Sequence, residues 1–115
     1  MIVIFNKNQE FDASWCDEVV NVMRPNILGN PYPLTRSNSR ETVIDLYRKW
    51  LTERMQEDSK QKQEVIRLAM LHGQGKKIGL LCCCSPMPCH ADVIKQFIGI
   101  DHSLQPFITR PGLKP

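Results

Sequence analysis

The run Ile78–Cys82 constrains the fold more than any other stretch of this chain, because it contains no polar or charged side chain except the thiol at its end. A short apolar run of this kind is typical of a strand that is buried on both faces, as in the centre of a parallel sheet. A short, proline-rich stretch follows it, and apolar side chains then recur at helical spacing over residues 93–98. The pattern predicts a strand, a tight loop and a helix that begins near Cys89 or His90.

Two shorter apolar runs near the amino terminus predict further strands. Residues 2–5 are β-branched or aromatic and end at a turn-forming Asn-Lys-Asn sequence. Residues 17–24 are rich in valine and end at Arg24, which precedes a proline and is therefore biased towards extended geometry. A further short strand is predicted at residues 106–109, within an irregular C-terminal tail over residues 101–115.

Two helices are predicted between the second strand and the central one. Asn38 is a candidate N-cap with Glu41 three residues later, and apolar side chains follow at helical spacing. An unbroken helix over residues 39–72 would extend ~50 Å at 1.5 Å per residue, far beyond a domain whose radius of gyration should be ~13 Å. We therefore expect a break, with Asp58 or Ser59 capping the second helix.

Strands that alternate with helices predict an α/β fold. We expect a single domain over residues 1–115, a small Rossmann-like three-layer domain with a short, mainly parallel sheet and three to four helices. The length of 115 residues and the hydrophobic content of 42% are ordinary for one globular domain. Since 115 residues can bury a sizeable core, the five cysteines are not needed merely to hold the chain together.

Composition and charge narrow the class of protein. No apolar run approaches ~18 residues and the N-terminus lacks the pattern of a signal peptide, so we expect a cytoplasmic protein without a membrane partner. In that reducing compartment the cysteines are expected to be thiols. The formal charge of +3 is small for a dedicated nucleic-acid binder and also suits an anionic small ligand.

Two segments are predicted to border one cleft, because ligands of parallel α/β sheets bind outside the carboxyl ends of the strands. Arg24 and the Gly29-Asn30-Pro31 loop follow one strand. The loop is longer than ~12 residues, which is uncommon within a compact domain. Gly29 is a candidate for a positive φ angle. The other segment follows the central strand and contributes Cys82, Cys84, Cys89 and His90.

The cysteines of this second segment differ in their predicted roles. Cys82 and Cys84 are two residues apart and should project to the same side, which leaves Cys83 as core filler. Cys89 and His90 fall at a helix start, where backbone N–H groups favour a thiolate or a bound anion. Both are candidate catalytic residues, and Asp92 is expected to cap the same N–H groups or to orient His90.

The motifs on these two segments resemble a small family of bacterial and phage proteins known as domain of unknown function DUF4326. The resemblance rests on Leu28-Gly29-Asn30-Pro31 and on the pattern CxCxPxxCHxDV from Cys82 to Val93, and it covers residues 19–98. Ala91 stands where the family pattern implies glycine, and Cys83 where it implies a large aromatic residue. The resemblance implies a fold and a site position but no activity.

Three hypotheses of function remain open. In the first, a phage or bacterial protein binds a nucleotide-like or other phosphate-bearing small molecule, with chemistry at Cys89 or His90; the ligand-binding candidates are Arg24, Gly29, Asn30, Arg36, Cys84 and Asp92. In the second, the cysteines are structural and the chain is a non-enzymatic protein- or nucleic-acid-binding module, such as an inhibitor of a host pathway. In the third, a zinc ion is bound by Cys82, Cys84, Cys89 and His90.

Overall fold

The structure is a computed structural model that describes residues 1–33, 35, 38–84 and 87–99. The described elements, in chain order, are β1 (Ile2–Asn6), β2 (Glu18–Asn21), α1 (Arg40–Gln56), α2 (Lys60–Gly73), β3 (Ile78–Cys82) and α3 (His90–Gly99). They confirm the predicted α/β class, the parallel sheet and three helices. The strand predicted at residues 106–109 and the tail predicted over 101–115 lie outside the described residues.

The apolar run is the central strand of the sheet. The strand order is β1-β3-β2, and both pairs are parallel. Leu80 lies opposite Ile4 on one side and Val20 on the other, so its side chain is enclosed by apolar neighbours within the sheet. Because β2 and β3 are parallel neighbours, the segments that follow them leave the same edge of the sheet side by side.

The second strand is shorter than the sequence predicted. It ends at Asn21 instead of reaching Arg24, because the chain turns there and the Asn21 side-chain oxygen accepts a hydrogen bond from the Met23 N–H at 3.0 Å. Val22 still donates its N–H to Leu81 O at 3.1 Å. The chain therefore leaves the sheet two residues before Arg24.

Serine side chains cap both long helices. The Oγ of Ser39 accepts from the Thr42 N–H at 3.2 Å, so Ser39 caps α1 and the prediction of Asn38 is wrong by one residue. Asn38 instead donates its N–H within a turn to Thr35 O. Ser59 accepts from the Lys62 N–H at 3.1 Å and caps α2, which confirms the predicted helix break.

Helices α2 and α3 pack against one face of the sheet, and α1 packs against both of these helices. Their apolar side chains form one core with Ile2, Val20, Ile78 and Leu80. The opposite face carries Val19, which is 41% exposed. A three-layer domain has helices on both faces, which the described elements do not show, so the three-layer and Rossmann-like parts of the prediction are not confirmed.

The segment between β1 and β2 crosses the face that the helices leave open. The rings of Phe11 and Trp15 pack against Phe5, with ring centroids 5.0 and 6.1 Å apart. A Cβ on Gly79 would lie 2.9 Å from the Phe5 ring and 3.3 Å from the Cys16 sulfur, so the central strand needs glycine at this crossing. Within the described residues, no helix is both long and apolar enough to span a membrane.

Candidate functional site

A cavity of about 500 Å³ lies at the carboxyl ends of β2 and β3. We divide most of its lining residues into two groups, which we call the arginine side and the thiol side. The arginine side consists of Arg24, Asn30, Tyr32 and Arg40. The thiol side consists of Cys83, Cys84, Cys89 and His90. Met23, Val43, Ile44 and Pro88 complete the lining.

The cavity brings together most of the residues that the sequence singled out. The predicted residues that line it are Arg24, Asn30, Cys84, Cys89 and His90. Gly29 and Asp92 are not among the lining residues, and Arg36 falls outside the described residues. The two segments therefore border one cleft as expected from parallel strands, while the role of each residue stays a prediction.

Gly29 shapes the arginine side by close packing. A Cβ at Gly29 would lie 2.8 Å from the backbone nitrogen and 2.9 Å from the Cα of Arg24, which is too close for any other residue. Among the described glycines the only positive φ belongs to Gly75, so the positive φ predicted for Gly29 is wrong. Glycine is required here because the loop folds back onto the backbone of Arg24, whose side chain is exposed.

Hydrogen bonds fix this loop against α1. The Asn30 side-chain oxygen accepts from the Tyr32 N–H at 2.8 Å, and its amide donates to Val43 O at 3.4 Å. The buried Tyr47 hydroxyl donates to Leu28 O at 2.7 Å. Burial raises the pKa of Tyr47, so its hydroxyl stays protonated and remains a donor. The arginine side is thus formed by a loop that its own polar groups hold in place.

Arg40 is a cavity residue that the sequence reasoning missed. It is the first residue of α1 and donates from its guanidinium to Pro88 O at 3.2 Å, across the cavity. The contact joins residues that are 48 positions apart, which no local pattern reveals. The one available signal was its position directly after the helix cap, at the end of the long loop.

Cys89 is a buried thiol that caps α3. Its N–H donates to the Asp92 carboxylate at 2.9 Å, while its sulfur accepts from the Ala91 N–H at 3.4 Å. This arrangement is the reciprocal cap expected at a helix start, and it confirms the capping role predicted for Asp92. The side chains at the start of α3 already occupy these N–H groups, so they are not available to a bound anion.

The predicted thiolate at Cys89 is wrong. Cys89 is only 4% exposed, and burial raises the pKa of its thiol to about 12, against the smaller opposing effect of the Ala91 N–H. The sequence located the helix start correctly but could not show how deeply the sulfur is buried. At neutral pH Cys89 is a protonated thiol, which is a weak nucleophile.

His90 is held in one orientation on the thiol side. Its Nε2 lies 2.6 Å from Val22 O, and its ring meets the Tyr47 ring edge-on with centroids 5.1 Å apart. Because a carbonyl oxygen only accepts, Nε2 must carry the proton, and in the neutral ring Nδ1 keeps its lone pair. Burial lowers the pKa of His90; the hydrogen bond to Val22 O partly opposes this effect, and the nearby Arg24 lowers the pKa further.

The remaining cysteines divide between the core and the cavity. Cys82 is fully buried, whereas Cys83 is exposed, so the prediction that Cys83 fills the core is wrong. The alternation of a strand does not extend to Cys83, because β3 ends at Cys82. The Cys82 thiol lies beside that of Cys89 and the Cys83 thiol beside that of Cys84.

The predicted zinc ligands do not form a metal site. Over the ranges that the structure describes, no group of three or more Cys, His, Asp or Glu side chains is arranged to hold a metal ion. Cys82 lies in the hydrophobic core, and the Nε2 of His90 already donates to a carbonyl. The donor set therefore does not fit zinc, which needs four converging ligands.

These features define a class of protein: a small α/β domain with a cleft at the carboxyl edge of a three-stranded parallel sheet. Residues 5–99 match the model of the family described as Domain of unknown function (DUF4326). The chain belongs to this family, as the loop and cysteine motifs predicted. Comparisons with curated proteins and with solved structures found no match.

Proposed function

We propose that the cavity binds a phosphate-bearing, nucleotide-like small molecule. The observation that carries this proposal is the charge of the lining: Arg24 and Arg40 both line the cavity, and no Asp or Glu is found among its described lining residues. Guanidinium groups suit phosphate because their N–H groups bond two oxygens of the same anion.

The size and the apolar surface of the cavity support a ligand larger than a bare phosphate. A volume of about 500 Å³ lies within the ~300–1,000 Å³ that is usual for small-molecule sites. The ring of Tyr32 and the side chains of Val43 and Ile44 offer apolar and aromatic contacts. A planar base or a similar apolar group can pack there while its phosphate contacts the arginines.

The two predicted catalytic residues have different places in this proposal. His90 lines the cavity as a neutral ring whose Nδ1 can accept a proton, which is the property of a general base. Cys89 is a protonated, buried thiol and serves to cap α3. Chemistry on a bound ligand, in this proposal, would start from proton transfer to His90 and not from attack by sulfur.

The compartment is part of the same proposal. The five cysteines are free thiols, and four of them, Cys82, Cys83, Cys84 and Cys89, lie at or after the end of β3, which suits a reducing environment. We therefore propose that the protein acts in the cytoplasm of a bacterium or of a phage-infected cell, the source that the family resemblance implies.

A second candidate function is binding of another protein, and it rests on a different surface. On the open face of the sheet Phe11, Trp15 and Val19 are each about 40% exposed. Large apolar side chains grouped on one surface are typical of protein interfaces. In this alternative the thiols and the cleft are structural, and small anions do not stabilise the protein.

A thermal unfolding experiment separates the two candidates. The wild-type protein is heated at low ionic strength with inorganic phosphate and with a panel of nucleotides, each at millimolar concentration. We expect at least one nucleotide to raise Tm, since a ligand that binds only the folded state stabilises it. Arg24→Ala and Arg40→Ala should remove this shift.

Lys49→Ala is the matched control, because it also removes one positive charge but lies on the exposed surface of α1, away from the cavity lining. It should keep the full nucleotide shift. If no nucleotide changes Tm, or if Lys49→Ala loses the shift as the arginine variants do, specific binding in the cavity is contradicted.

A further inference from the structure

We infer that the ligand is a nucleoside monophosphate, bound without a divalent metal ion. The inference rests on the proposed function and goes further, because it names the number of phosphates and the absence of a bridging cation. It follows from three properties of the cavity: its count of charges, the engagement of the nearest carboxylate, and the position of Arg40 in a lining that also carries apolar side chains.

The first property is the formal charge of the lining. Arg24 and Arg40 supply two positive charges, and the thiol side adds none, because burial raises the pKa of Cys89 and lowers that of His90. A phosphate monoester carries about −1.5 to −2 charges at pH 7. Two guanidinium groups therefore balance one terminal phosphate, whereas a triphosphate would bring charge that the described lining does not match.

The second property concerns metal binding. Proteins usually bind the magnesium of a nucleoside triphosphate through one or two carboxylates together with the phosphates. Asp and Glu are missing from that part of the lining which the structure describes. The Asp92 carboxylate, which is close enough to raise the pKa of His90, accepts a hydrogen bond from the Cys89 N–H. It is engaged in capping α3, so the cleft favours a ligand that needs no metal ion.

The third property is the position of Arg40. Its guanidinium donates to Pro88 O at 3.2 Å, and this contact holds it at the cavity while its other N–H groups stay available as donors. The lining also includes Met23, Val43 and Ile44, whose apolar side chains cannot bond a second or third phosphate. A phosphate at the arginines and an uncharged, largely planar group along these residues fit the cavity better than an inorganic ion or a polyphosphate.

Isothermal titration calorimetry tests this inference. The four ribonucleoside 5′-monophosphates, adenosine, inorganic phosphate, and ATP with magnesium are titrated separately into the wild-type protein, in magnesium and again in EDTA. We expect at least one monophosphate to bind with the same Kd in both buffers. ATP with magnesium, adenosine and inorganic phosphate should each bind about tenfold more weakly or not at all.

The variants give the same inference a second readout. Arg24→Ala and Arg40→Ala should each weaken the monophosphate by about tenfold or more, the size expected for a lost charge-assisted hydrogen bond. Tighter binding of ATP with magnesium, or loss of monophosphate binding in EDTA, would overturn the inference and leave the proposed function standing. If none of these probes binds, the proposed function fails with it.

Discussion

The arginine side and the thiol side of the cavity are both formed by segments that follow a strand, yet they place their polar groups differently. On the arginine side, Asn30 and Tyr47 hydrogen-bond the loop from behind and leave the charged side chain of Arg24 exposed. On the thiol side, the Cys89 sulfur accepts from an N–H at the helix start, and the Nε2 of His90 donates to Val22 O, so both atoms are bonded within the protein.

This difference gives the two sides different roles, one in ligand recognition and the other in the shape of the cavity. Exposed cations can bond a ligand at little extra desolvation cost, whereas buried and bonded groups would first have to give up their protein partners. The arginine side should therefore determine which ligands bind. The thiol side should present a neutral surface whose main effect is to define the size of the cavity and the position of His90.

The largest expected contrast is in the reactivity of the thiols. Exposed Cys83 should react with iodoacetamide at pH 8 at least about a hundredfold faster than Cys82 and Cys89, because modification of the buried thiols requires local opening. Peptide mapping by mass spectrometry at increasing times measures the three rates. In denaturant the rates should become similar. Equal rates at Cys83 and Cys89 in the folded protein would show that the Cys89 thiol is not buried.

A substitution behind the arginine side should have the next largest effect. Gly29→Ala places a Cβ against the Arg24 backbone, and the resulting overpacking should lower the free energy of unfolding by about 2–3 kcal/mol. Denaturant titration measures this loss. The control is Gly73→Ala, because a Cβ at Gly73 has no neighbour within 4 Å and should leave stability unchanged or slightly raised. A tolerated Gly29→Ala would mean that the loop does not need this close approach.

Tyr47 links the two sides, because its hydroxyl donates to Leu28 O in the loop and its ring contacts the His90 ring. Removing the hydroxyl tests how much the loop depends on this hydrogen bond. Tyr47→Phe leaves Leu28 O without its buried donor and should cost about 1–2 kcal/mol of stability. Tyr32→Phe, at a half-buried tyrosine that lines the cavity, should stay within about 0.5 kcal/mol. Equal effects of the two changes, measured by chemical denaturation, would contradict the claim that the Tyr47 hydroxyl fixes the loop.

The smallest effect should be a pH dependence that comes from His90. Burial lowers the pKa of His90 in the folded protein and Arg24 adds to this, against the opposing effects of the hydrogen bond to Val22 O and of Asp92. The unfolded chain therefore binds a proton first as the pH falls. Stability should be fully present above about pH 6.5 and should decrease below it. His90→Gln, which keeps a donor at this position, should flatten the profile measured from pH 7 to 5.

His72→Gln is the matched control for that measurement, because His72 lies in the last turn of α2, away from the cavity lining. It should leave the decrease below pH 6.5 in place. A profile that is the same in wild type and His90→Gln would show that the imidazole is not buried as the structure describes.

Much of the fold could be predicted because it depends on local pattern. The apolar run Ile78–Cys82, the spacing of apolar residues in α1 and the serine at the start of α2 are each readable along the chain. The cleft could be predicted as well, since parallel neighbouring strands bring their following segments together. The number of layers could not be predicted, because the sequence pattern does not determine which face of the sheet the helices cover.

The errors at the site share one physical cause, which is that burial depends on residues distant in sequence. The helix start at Cys89 suggested a low thiol pKa, but packing against Cys82 and the core reverses the direction. Arg40 reaches the cavity through a contact with Pro88, which is 48 residues away in the sequence. Cys83 was misplaced for a local reason, because the strand ends at Cys82 and the predicted alternation ran on to Cys84.

The most direct test of the account is an NMR titration that maps where a nucleoside monophosphate binds. ¹⁵N-labelled protein is titrated with the ribonucleoside 5′-monophosphates, and backbone and arginine side-chain shifts are followed. We predict saturable shifts at Arg24, Asn30, Arg40 and His90, with no change at Phe11 and Val19 on the open face of the sheet. Shifts confined to the open face, or no saturable shifts at all, would contradict the claim that the cleft between the arginine side and the thiol side is the binding site.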